Sequence, residues 1–132
     1  MDMAVKILIS EGISSGMVNA GGDLRVFGDK RQVIHIRNPK NPAELLELGS
    51  LQNAALATSS LYFAYRDQQP SHLINPLAKE SSNLDIESND SYSVIAKECV
   101  YADALTKVLA ITKQTSHPCF AKFSAQAIRI PA

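Results

Sequence analysis

Tryptophan is absent from this 132-residue chain, cysteine occurs only twice, and neither charge sign predominates, with 13 basic and 13 acidic residues. Each shortage excludes something. Balanced charge leaves no electrostatic footprint for nucleic acid or an anionic membrane, and the one adjacent basic pair, Lys30-Arg31, reads as the decoration of a turn. Cys99 and Cys119 make neither a disulfide framework nor a Cys-x-x-Cys site, so both are expected as small buried or half-buried side chains. No apolar run approaches the ~18 residues of a spanning helix. The opening Met1-Asp2-Met3-Ala4-Val5-Lys6 carries an acid where a signal peptide would carry net positive charge. The expectation is a soluble, cytoplasmic chain with no membrane partner.

What is present is enough for one core. A hydrophobic content of 45% over this length suits a single domain spanning residues 1–132. Asp2 to Glu11 reads as an amphipathic helix with Ala4, Val5, Leu8 and Ile9 on one face and Gly12 as its stop. Leu24 and Val26, then Val33, Ile34 and Ile36, read as two strands of a hairpin joined across Gly28-Asp29-Lys30. Ala43 to Gly49 fits helical turn and strand equally poorly. Leu51 to Thr58, Leu61 to Arg66, Ser91 to Ala96 and Phe123 to Ile130 read as further strands. Val100 to Thr112 predicts a helix whose apolar face is Tyr101, Ala104, Leu105, Val108 and Leu109. The sum is an α+β domain, mostly antiparallel sheet with two main helices.

Gly21-Gly22-Asp23 is the first place where chemistry can sit. Paired glycines allow positive φ and close backbone approach to an anion, although the segment lacks the spacing of a Rossmann fingerprint. Three more segments follow at a distance: Ala57-Thr58-Ser59, Ser71-His72-Leu73-Ile74-Asn75-Pro76 and Ala102-Asp103-Ala104-Leu105. With Asn19-Ala20-Gly21-Gly22-Asp23 they resemble, in order and with compatible gaps, motifs of the FAD:protein FMN transferases, the ApbE family. The resemblance runs from Asn19 to Lys107 and covers the family's C-terminal part. It implies a domain related to enzymes that use FAD with magnesium to place FMN on a Thr or Ser hydroxyl of a partner protein, releasing AMP. By that resemblance His72 stands at the catalytic histidine and Asp103 at a metal ligand. Gly21, Gly22, Asp23, Thr58 and Ser59 stand along the flavin nucleotide.

The departures from the pattern bear on activity. Where the family carries a metal-binding Thr four residues after its Asp, this chain has Lys107, whose ammonium is placed for an i,i+4 ion pair with Asp103. Magnesium is therefore not expected at this position. Thr106 is one residue, about 100°, around the helix and is not expected to substitute. The family's Asp-Pro-x-Thr-Gly is Asn75-Pro76-Leu77-Ala78-Lys79 here, and Ser60 replaces a glycine. Three readings follow. The first is a degenerate transferase-like domain that retains flavin nucleotide binding without turnover. The second is a non-enzymatic interaction module, and the third a transferase completed by a partner that supplies the family's N-terminal part. A protein partner or a homo-oligomer is expected, through the Asp2–Glu11 helix or a sheet edge. His35 is expected on the solvated face of its strand and His117 at a surface turn.

Overall fold

The computed structural model describes residues 1–60 and 90–132. Its elements in chain order are α1 (Asp2–Ser10), β1 (Gly16–Ala20), β2 (Asp23–Phe27), β3 (Gln32–Arg37), β4 (Leu45–Leu51), β5 (Ala55–Ser60), β6 (Ser91–Ala96), α2 (Cys99–Thr112), α3 (Pro118–Lys122) and β7 (Gln126–Ile130). The α+β class and the antiparallel character match the sequence expectation, with α3 as an additional short helix. Five strands form one sheet in the order β1-β2-β5-β6-β7, and β3 with β4 forms a second. Every pairing is antiparallel. No helix among the described residues is long and apolar enough to cross a membrane.

Strand alternation gives the five-stranded sheet two apolar faces. On one face Leu24, Val26 and Leu56 pack with Ile34, Ile36 and Leu51 of the smaller sheet. On the other, Tyr92 and Val94 pack with Leu105, Leu109 and Ala110 of α2 and with Phe120 of α3. A third cluster, Ala55, Ala57, Ala96, Cys99 and Ala102, joins the sheet to the start of α2. These small side chains let the helix lie close to β5, which brings polar groups on α2 within reach of that strand.

The Gly28-Asp29-Lys30 hairpin does not form. β2 is an inner strand with β1 and β5 on its two edges, so no edge remains for β3. The chain instead crosses from one sheet to the other at Gly28. There φ is +85°, and a Cβ would stand 2.2 Å from the Ser14 carbonyl oxygen. Asn53 Oδ1 accepts from the Gly28 N–H at 3.2 Å, and Gln52 Nε2 donates to the Asp29 carbonyl at 2.7 Å. β2 instead forms its hairpin with β1, with Ala20 opposite Asp23. Its two turn residues, Gly21 and Gly22, have φ of +70° and +105°, as a tight two-residue connection with positive φ at both positions demands.

Helix faces also differ from the periodicity reading. On α1 only Val5 is buried; Met3, Ile7 and Ile9 are exposed. On α2 the buried residues are Cys99, Ala102, Leu105, Thr106, Leu109 and Ala110, while Tyr101 and Ala104 face outward. The face is turned because Thr106, a β-branched residue with its hydroxyl satisfied, takes an interior position that the apolar pattern assigned elsewhere. Tyr101 instead meets the ring of Phe123, with 5.4 Å between centroids. The last strand begins at Gln126 rather than Phe123. His117-Pro118 is a helix entry: the His117 Nδ1 accepts from the Cys119 N–H at 3.3 Å and Pro118 fills the first turn. Leu51 closes β4, so β5 begins at Ala55. Ala43 to Gly49 resolves as strand from Leu45 onward, paired with β3 across a bulge at Ile34/His35. His35 does point to solvent. The expected strand Leu61 to Arg66 lies outside the described residues.

Candidate functional site

One end of the five-stranded sheet gathers polar side chains beneath the middle of α2. Asp23 opens β2 directly after the glycine turn, and its Oδ1 accepts from the Thr58 N–H at 3.2 Å. Ser59, near the end of β5, shares a hydrogen bond of 2.8 Å with Thr106 of α2. Asp103 and Lys107 lie one helical turn apart and pair at 2.5 Å, as their spacing predicts. Lys107 Nζ also stands 3.3 Å from Ser59 Oγ and 3.2 Å from Thr106 Oγ1.

The hydroxyl protons can be assigned from this geometry. Thr106 Oγ1 donates to the Asp103 carbonyl at 2.7 Å, which uses its single proton. The Ser59–Thr106 bond must then run from Ser59 to Thr106. Ser59 turns its lone pairs toward the lysine ammonium and its proton toward the protein interior. A serine so placed is a donor inside a network rather than an activated nucleophile, since its proton is directed at the Thr106 hydroxyl oxygen and not at a base.

The electrostatics are asymmetric. Asp23 is pushed above its ordinary carboxylate range, chiefly by desolvation. The Thr58 N–H opposes that shift, the Asp103 charge adds to it, and Lys107 reduces it. Burial also drives the Cys99 thiol up to about 11, with the negative charges of Asp23 and Asp2 contributing. Two carboxylates therefore share one ammonium. The Asp103 and Lys107 side chains are 55% and 45% exposed, so their pair contributes no more than about 1 kcal/mol to stability. Its significance lies in which position the cation occupies.

The opposite face of the same sheet end carries a cleft of about 570 Å³ between β5, the glycine turn and the β3–β4 sheet. Gly21, Gly22, Thr58, Ser60, Asn38 and Ser91 are among its lining residues. The volume lies in the range of small-molecule sites. Thr58 Oγ1 is tied to Ser93 Oγ at 2.8 Å, and Asn19 Oδ1 accepts from the Gly22 N–H at 3.2 Å, which stiffens the turn.

The residues singled out by sequence thus divide between two faces. Gly21, Gly22 and Thr58 line the cleft; Asp23, Ser59 and Asp103 belong to the cluster under α2. The Asp23–Thr58 hydrogen bond is the link through the sheet. His72, Asn75 and Ala78 lie outside the described residues. The helical angle argues against Thr106, yet it joins the cluster from its buried side; the signal available is a threonine one helical turn from the apolar Ala102 and Ala110. Asp2 was also missed. Its carboxylate accepts from the Cys99 and Val100 N–H groups at 2.9 and 3.0 Å and so caps α2. Nothing local marks that role, because 97 residues separate Asp2 from Cys99.

Residues 1–129 match the family model described as the ApbE family. Among solved structures, the ApbE protein from Thermotoga maritima superposes with a TM-score of 0.71 at 25% identity, over 98% of this chain and 44% of that one. The apo form of the Pseudomonas stutzeri flavinyl transferase ApbE gives 0.60 at 25% identity, over 83% and 34% respectively. The flavin transferase ApbE from Vibrio cholerae gives 0.55 at 25% identity, over 83% and 36%. The chain therefore spans less than half the length of each of these structures. No curated protein matches it by sequence.

Proposed function

This chain belongs to the ApbE family, and from that premise we propose that it is a flavin-nucleotide-binding domain that does not turn over as a transferase. The observation that carries the reading is the engagement of Asp103 by Lys107 within a cluster otherwise built from the motif residues Asp23 and Ser59. FAD is the nucleotide the family membership favours, and the cleft beside Gly21, Gly22 and Thr58 has the volume for part of it. Turnover would need a charge-neutralising metal at the pyrophosphate and a base for the acceptor hydroxyl. With Asp103 already paired with an ammonium, magnesium would have to displace the lysine to reach that carboxylate. The two unpaired cysteines, Cys99 and Cys119, agree with a reducing, cytoplasmic setting.

Titrating FAD with the protein and following flavin fluorescence tests the binding. Incubation with FAD, magnesium and a Thr-containing acceptor peptide, with AMP detection, tests the chemistry. Quenching without AMP is the expected pair of results. AMP release would overturn the inactive reading, and would favour a transferase completed by a partner if it appeared only on adding one. The exposed Met3, Ile7 and Ile9 of α1 favour a second reading, an interaction module that meets a protein partner or another copy through this helix. That reading requires a concentration-dependent mass in light scattering or a partner-bound species, with no flavin bound.

A further inference from the structure

We propose that the Lys107 ammonium is a tethered occupant of a hard-cation position, so that the chain is blind to divalent metal until this side chain is removed. The inference concerns the cluster used in the nucleotide reading but stands on its geometry alone. Three oxygens converge on Lys107 Nζ: Asp103 Oδ1 at 2.5 Å, Thr106 Oγ1 at 3.2 Å and Ser59 Oγ at 3.3 Å. They come from two elements, α2 and β5, and the proton assignment turns the Ser59 lone pairs toward the nitrogen. Asp23 is the nearby second carboxylate, coupled electrostatically to both Asp103 and Lys107.

That donor set is carboxylate and hydroxyl oxygen, the chemistry of a hard cation such as magnesium or manganese. A metal does not fit while the lysine is present. It would have to displace the ammonium from Asp103, and the displaced charge, tethered to the same helix, would still oppose binding of the ion. The ammonium supplies one positive charge and three donors on a flexible stem, against the two charges and fixed octahedral shell of magnesium. It neutralises the position without offering an open coordination site. The same contacts join α2 to β5, so the tethered cation also acts as a staple between helix and sheet.

The test compares manganese binding, by isothermal titration and by thermal unfolding, in the wild type and a set of Lys107 variants. The wild-type chain should show neither binding heat nor a manganese-dependent Tm shift. Lys107→Ala should lower Tm slightly, bind manganese on the order of tenfold to a hundredfold more tightly than the wild type, and recover Tm when the ion is added. Lys107→Thr should do the same, and it takes the place of the alanine variant should that one fail to fold. Asp103→Asn combined with Lys107→Ala should abolish the gain, and Lys107→Arg should stay silent. Manganese binding by the wild type equal to that of Lys107→Ala would overturn the proposal. So would a folded Lys107→Ala and Lys107→Thr pair with no gain, or a gain that survives loss of the Asp103 carboxylate. FAD binding measured in chelator is a separate reading, so the nucleotide proposal and this one fail independently.

Discussion

Asp2 starts α1 but works at the first turn of α2, and replacing it with alanine tests how α2 is held in place. Its two oxygens cap the Cys99 and Val100 N–H groups at 2.9 and 3.0 Å, while Glu98 in the N-cap position makes no side-chain cap. Arg25 Nε lies 3.6 Å from the same carboxylate, and the Arg25 and Asp2 side chains are only 12% and 21% exposed. Loss of the cap costs about 1 kcal/mol. Loss of a negative charge at the positive end of a helix adds roughly 0.5 kcal/mol. Leaving the largely buried Arg25 without its counter-charge adds about 1 kcal/mol more, moderated by its remaining bond to the Val26 carbonyl. The sum is roughly 2–3 kcal/mol, or on the order of 10 °C in Tm for a chain of this size. Asp2→Asn keeps an acceptor and should lose about half as much. Urea unfolding followed by circular dichroism reads both variants against the wild type. A loss below about 0.5 kcal/mol for Asp2→Ala would refute the idea that this carboxylate anchors the helix carrying Asp103 and Lys107.

Gly28→Ala should destabilise by about 3 kcal/mol, since a Cβ would collide with the Ser14 and Ser15 backbone at a positive φ. Gly21→Ala meets open space and should cost only about 1 kcal/mol from its φ of +70°; equal losses in urea titrations would contradict this. Asp23 has a folded pKa raised above its ordinary 3.8, so the folded state holds the proton more tightly than the unfolded one. Stability should therefore fall as pH rises from that ordinary value through the raised one, and Asp23→Asn should flatten this part of the profile; an unchanged slope in the variant argues against it. Cys99, buried and with its thiol at about 11, should alkylate far more slowly at pH near 8 than the half-buried Cys119. Mass spectrometry of a time course reads the order directly, and faster labelling at Cys99 would be the contrary result.

Short-range features could be read from the chain alone. The Asp103–Lys107 pair depends only on a spacing of four along a helix, and the Gly21-Gly22 turn on two residues able to take positive φ. The α+β class follows from the periodicities of apolar residues, and the family from motifs in sequence order. Tertiary structure alone decided the rest, because each remaining feature depends on which distant segments share space. β3 avoids β2 because β5 already occupies that edge, a fact about residues some twenty positions later. Thr106 turns inward to meet Ser59, 47 residues away, whose hydroxyl it accepts from. The cap from Asp2 spans 97 positions of the chain. The division of the motif residues between a cleft on one face of the sheet and an ammonium-filled cluster on the other follows from strand alternation, once the strand partners are known. Local geometry carries identity in sequence; backbone donors, sheet edges and buried hydroxyls are satisfied globally, and only the folded chain shows by what.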